Sequence, residues 1–160
     1  MTPKNNNEYD VKVVNVVDGD TVDVDIYLGF GVELKDERVR IVGIDTEESR
    51  TSDKVEDLFG EKAKSRVKEL MSEGAKLITT EDKHGEDMKG KFGRILGDFR
   101  LPSGKTLTET LIEEHLAVPY HGQSKDDILA NHLSNRQILL ETGVISQSDY
   151  DAAVALMDSK

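Results

Sequence analysis

Three short segments concentrate charge where ordinary barrel strands and loops have no need of it. They are Asp18-Gly19-Asp20-Thr21, Arg40 followed by Ile44-Asp45-Thr46-Glu47-Glu48, and Lys91-Phe92-Gly93-Arg94. Each alone is a common turn sequence, because Asp and Gly suit tight turns. Together they hold the parts for phosphodiester cleavage. A hard divalent cation takes hard carboxylate oxygens, which Asp20, Asp45 and Glu48 could supply. Two arginines can grip and neutralise a phosphate, because the guanidinium fork matches phosphate oxygens bidentately. A further carboxylate can position or deprotonate a water for in-line attack. Metal, two arginines and a base are what such a displacement requires.

The elements that must position these residues are readable in the same stretch. Residues 11–17 form a valine-rich run, and residues 21–26 alternate polar and apolar, the period of a half-buried strand. Asp18-Gly19-Asp20 between them predicts a hairpin. A second hairpin runs through Gly29-Phe30-Gly31 into residues 38–44. Strict alternation would put Arg40 and Asp45 on opposite faces, so the strand must end or bulge between them, and Gly43 is the natural place.

Helical spacing of Phe59, Ala63, Val67 and Leu70 predicts a helix over 55–73, closed by Gly74. Two more strands follow over 75–80 and 92–100. Thr106 and Glu109 form a capping-box pattern that opens a helix carrying Leu111, Ile112 and Leu116. Asp126 or Asp127 caps the next, with Ile128, Leu129, Leu133 and Leu140 inward. A last short helix starts at 146–149 and turns Tyr150, Ala153, Val154 and Met157 inward. Three strands, a helix and two strands is the OB-fold order. The predicted class is therefore α+β with a mostly β core: a five-stranded OB barrel, three flanking helices and a short C-terminal helix. Residues 1–9 are expected to be disordered, 10–142 to form the barrel domain, and 143–160 to be a helical extension packed on it.

Bulk composition bounds the rest. The chain has 160 residues, no cysteine and a formal charge of -11. Disulfides, thiolate metal sites and cysteine nucleophiles are thereby excluded. No apolar run is long enough to span a membrane, and the polar N-terminus lacks a signal-peptide core. A cytoplasmic location is the expectation, and the protein is expected to be a monomer. The acidity argues against a general nucleic-acid binder, so a nuclease must offset it locally. Lys83 and Lys89 would extend a basic strip from Lys91, leaving a locally positive cleft with the negative charge on the helices. Of the histidines, His84 and His115 read as solvated, His132 as lying against the core, and His121 as a minor candidate for the cleft.

The three motifs, in their order and separations, resemble the staphylococcal nuclease family. The likeness covers about residues 10–142, and 117–122 looks like homologues carried by tailed bacteriophages. The resemblance implies a Ca²⁺-dependent nuclease acting on DNA and RNA and leaving 3′-phosphate ends. It implies Ca²⁺ on the carboxylates of Asp20 and Asp45 and on the backbone carbonyl of Thr46. It assigns the scissile phosphate to Arg40 and Arg94, the base or water-orienting role to Glu48, and contacts with the neighbouring nucleotide to Lys91 and Tyr120. Two departures stand out: Glu47 replaces the family's proline, which should loosen that turn, and Phe92 replaces a tyrosine. The alternatives are a catalytically silent OB module that binds nucleic acid or a partner, and an acidic interaction domain.

Overall fold

The computed structural model describes residues 8–49, 51–80 and 94–158. Two long hairpins dominate it: β1 (Glu8–Asp18) pairs with β2 (Thr21–Gly29), and β2 with β3 (Val32–Ile41). A two-residue strand β4 (Ile44–Asp45) leads to helix α1 (Lys54–Met71), then to β5 (Lys76–Thr79) and β6 (Ile95–Arg100). Helix α2 (Leu107–Glu113), the short β7 (Val118–Pro119), α3 (Lys125–Glu141) and α4 (Gln147–Asp158) complete the chain. The five principal strands close into a barrel in the order β1-β2-β3-β6-β5. Every pair in it is antiparallel except β3 with β6. The predicted α+β class and five-stranded barrel with four helices are what the chain adopts.

The barrel is filled by aliphatic residues, as a chain poor in aromatics requires. Val22, Val24, Val39, Ile41 and Leu77 are fully buried with Phe99. Helix α1 closes the barrel with Phe59, Ala63 and Val67, which are buried at helical spacing. Its N-cap is Asp53, whose carboxylate accepts from the Val55 and Glu56 amides. The Thr106–Glu109 capping box at α2 forms as predicted.

Several expectations need correction. Strand β1 begins at Glu8, because residues 8–10 add to β5 in antiparallel register; residues 8 and 9, expected to be disordered, are therefore part of a strand. Ser124, not Asp126 or Asp127, caps α3, its hydroxyl accepting from the Asp127 amide. The two aspartates instead occupy the first turn, where the helix dipole favours negative charge. Leu129 and Leu133 are about half exposed, and the buried residues of α3 are His132 and Leu139. Leu116 lies beyond the end of α2, after a left-handed His115, yet is buried. The last helix agrees with expectation: Ala153 is buried, and Tyr150 meets Phe59 of α1 edge-on with ring centres 6.2 Å apart.

Candidate functional site

The site is built where the first hairpin turn, the end of β3 and the loop after β4 converge against α1. Gly19 permits the convergence. A Cβ there would stand 2.9 Å from Ala63 Cβ and 3.0 Å from Thr46 Cγ2, closer than side chains approach. Gly60 in α1 does the same from the other side, since a Cβ would fall 2.2 Å from the Glu48 carbonyl oxygen. The loop of residues 46–49 is thus wedged between a turn and a helix. Asp18 fastens it further by accepting hydrogen bonds from the Ser49 hydroxyl and amide.

Arg40 and Asp45 reach one site because β3 ends at Ile41 and the chain turns through Gly43, whose φ is +83°. The predicted interruption lies where the odd spacing demanded it. Tyr120 donates its amide to the Gly43 carbonyl at 2.8 Å, so the β4–β7 pairing fixes the turn from outside. Val39 of β3 and Ile95 of β6 are paired and both buried. Alternation then turns Arg40 and Arg94 away from the barrel interior together.

A cavity of about 360 Å³ results, lined by Asp18, Asp20, Thr21, Arg40, Asp45, Thr46, Glu47, Glu48, Glu56, Arg94 and His132. All three expected metal-binding residues and all three expected catalytic residues are therefore brought together. Burial raises the Asp20 pKa above its ordinary value; Arg40 opposes this, and Asp45 and Asp18 add to it. Glu56 is also raised, first by burial and then by Glu47 and Glu48. Glu48 is exposed to the solvent side of the cavity. Tyr120 lies outside this cavity, half-exposed in an adjoining groove of about 470 Å³ shared with Arg40, Asp45, Lys125, Leu129 and His132. Lys91, with Lys83, Lys89 and Phe92, lies outside the described residues.

Residues 38–138 match the family described as staphylococcal nuclease homologue. The chain belongs to that family. Among its relatives in Bacillus subtilis (strain 168) is the endonuclease YncB, 38% identical over 121 residues, covering 72% of this chain and 52% of the relative. Another is the SPbeta prophage-derived endonuclease YokF, also 38% identical, over 68% of this chain and 33% of the relative. Endonuclease YhcR is 32% identical over 74% of this chain and 9% of its own length. The chain thus spans about half or less of each of these relatives.

Three features of this family member escaped the sequence. Glu47 does not loosen the turn: it is buried in a bidentate ion pair with Arg136 of α3. His132 lies against the core as expected, but its Nε2 also stands 2.7 Å from Asp45 Oδ2. The spacing of His132 and Arg136, one helical turn apart, was the available signal. The third is electrostatic. Six carboxylates and two arginines line the cavity, so its described lining is acidic, while Lys83, Lys89 and Lys91, expected to make the cleft positive, lie outside the described residues.

That acidity bears directly on whether the residues suit a divalent cation. Asp20 and Asp45 are hard oxygen donors, and the Asp45 charge adds to the cost of ionising Asp20, a tension that a cation between them would relieve. Thr46 Oγ1 is buried beside them and has no hydrogen-bond partner among the described residues. Among the described residues, no group of three or more His, Asp or Glu side chains is arranged as a metal cluster. A cation held by two carboxylates and a backbone carbonyl needs no such group. The donor set fits.

Proposed function

We propose that this chain is a calcium-dependent nuclease that cleaves DNA and RNA, leaving 3′-phosphate and 5′-hydroxyl ends. The observation that carries the reading is the single cavity joining Asp20, Asp45, Thr46, Arg40, Arg94 and Glu48. Asp20, Asp45 and the Thr46 carbonyl would hold the ion. Ca²⁺ suits such a site because it accepts oxygen ligands in flexible geometry. When bound, it supplies positive charge and Lewis acidity toward a phosphate oxygen.

The chain's own residues account for the remainder. Arg40 and Arg94 grip the non-bridging oxygens of the scissile phosphate and stabilise the charge that grows there. Glu48, at the open side of the cavity, takes a proton from the water that attacks phosphorus in line. The bond from phosphorus to the 5′-oxygen breaks, and that oxygen takes a proton from solvent. Tyr120, which lines the adjoining groove, would stack on a neighbouring base, and Lys91 would supply charge.

An acidic cavity repels a polyanion until a cation enters it, so metal binding and substrate binding are coupled here. The same acidity favours a second reading, an OB module that does not cleave. Incubating the purified chain with plasmid DNA or RNA in the presence of Ca²⁺ and mapping product ends separates the two. New 3′-phosphate ends support the nuclease, whereas intact substrate supports the silent module.

A further inference from the structure

Helix α3 presents two side chains, one turn apart, to the loop that follows β4. His132 is buried, and its Nε2 lies 2.7 Å from Asp45 Oδ2. A carboxylate only accepts, so Nε2 carries the shared proton. Four residues later, Arg136 Nε lies 3.1 and 2.9 Å from the two Glu47 carboxylate oxygens, and its Nη2 bonds Oε1 as well. Both side chains of that ion pair are largely shielded, 15% exposed for Arg136 and 8% for Glu47. The guanidinium carbon sits 5.3 Å from the centre of the Phe59 ring, which Tyr150 braces from α4. Thr46, between the two acids, turns the other way toward Gly19.

A buried ion pair adds little net stability over an apolar pair of the same shape, so stability is a poor reason for this arrangement. Position is a better one. Proline, the residue the family resemblance places at 47, would fix the backbone through its ring. Glu47 fixes the same point through Arg136. The histidine occupies one oxygen of Asp45 and leaves Oδ1 for a cation, as hydrogen-bond partners of metal-ligating carboxylates do. We infer that α3 positions the metal-binding loop, His132 by orienting the Asp45 carboxylate and Arg136 by anchoring Glu47. Both are positioning residues rather than catalytic ones. The inference rests on the reading of Asp45 as a Ca²⁺ ligand.

Calorimetric titration of the full chain with Ca²⁺ alone, without substrate, tests it. His132→Leu should fold, because Asp45 is 35% exposed and water can take up its freed oxygen. It should weaken Ca²⁺ binding by about 10- to 100-fold. His132→Gln, whose amide nitrogen reaches the Nε2 position, should restore most of the affinity. Arg136→Met should weaken Ca²⁺ binding in the natural background but not in Glu47→Pro, where a ring holds the loop. If His132→Leu loses the wild-type circular dichroism, His132→Asn takes its place, since its amide stops at the Nδ1 position. Unchanged affinity in folded His132 and Arg136 variants, with wild type binding Ca²⁺ normally, overturns the inference alone. Absence of Ca²⁺ binding by wild type overturns it together with the calcium reading beneath it.

Discussion

Arg40 Nη1 stands 3.5 Å from Asp20 Oδ2, so a proposed phosphate-gripping cation and a proposed metal ligand are neighbours before substrate arrives. The same guanidinium donates to the carbonyls of Ile41 and Ile44, at the point where β3 ends and the chain turns. Arg40 is therefore held at the cavity by backbone on one side and a carboxylate on the other. Such a fixed donor needs no reorganisation as charge develops on a phosphate.

Arg40→Ala and Arg94→Ala should each lower turnover by two or more orders of magnitude, about 3 kcal/mol of transition-state stabilisation. Arg38→Ala is the control, because Arg38 pairs with Asp23 on the exposed side of the sheet. It should retain most of the activity. Steady-state cleavage rates, with circular dichroism to verify folding, check all three. A rate above a tenth of wild type in a folded Arg40 or Arg94 variant would remove that residue from its assigned role.

Gly60→Ala should damage the site from a distance. The new methyl would press on the Glu48 carbonyl, where 2.2 Å separates a Cβ from the oxygen, so loop or helix must shift. Overpacking of this kind destabilises by about 1–3 kcal/mol. Denaturant unfolding should show that loss, and activity should fall by more than the change in folded fraction explains. Equal stability and activity to wild type would mean the wedge between helix and loop is unimportant.

The barrel was legible because period-2 and helical patterns compete only weakly in this chain. The candidate site was legible because most of its acids fall in short turns, where sequence distance limits spatial distance. The misjudged features of the site are long-range. Glu47 and Arg136 are 89 residues apart, and Asp45 and His132 are 87 apart, so no local pattern ties them. In α3, half-exposed Leu129 and Leu133 suggested an inward apolar face that the polar grips of His132 and Arg136 had displaced. The acidity of the described cavity was not legible because its acids come from three separate segments, the first hairpin turn, the stretch from Asp45 to Glu48 and helix α1, whose convergence is a tertiary fact.

Stability should respond to acid through Asp98. Its carboxylate accepts from the Phe99 amide at 2.7 Å and from the Thr108 hydroxyl at 2.6 Å. Burial nonetheless holds its pKa above the ordinary 3.8, outweighing those bonds. The folded state therefore binds this proton more tightly than the unfolded chain. Its contribution to stability is greatest below pH 3.8 and diminishes as pH rises through the raised folded value. Asp98→Asn should flatten that part of the profile, measured as melting temperature against pH. An identical profile in the variant would show that Asp98 titrates normally.

Substrate binding should be weak and only modestly sensitive to salt. The net charge of -11 opposes encounter with a polyanion, and the described cavity offers two arginines to the phosphate. Two phosphate contacts on duplex DNA correspond to a slope of about 1.8 in log affinity against log salt. Fluorescence anisotropy of labelled duplex with an Asp45→Ala variant in Ca²⁺-free buffer checks this. Tight binding with a much steeper slope would point to an extended basic surface instead.

On the proposed function, the cavity around Asp20, Asp45, Arg40, Arg94 and Glu48 cleaves phosphodiesters only when a divalent cation neutralises its acids. Supercoiled plasmid digested by the purified chain in Ca²⁺, and in parallel with excess EGTA, tests it most directly. Nicking and degradation are expected in Ca²⁺, none in EGTA, and recovery when Ca²⁺ is restored. Undiminished cleavage in EGTA, or intact plasmid in Ca²⁺, would contradict it.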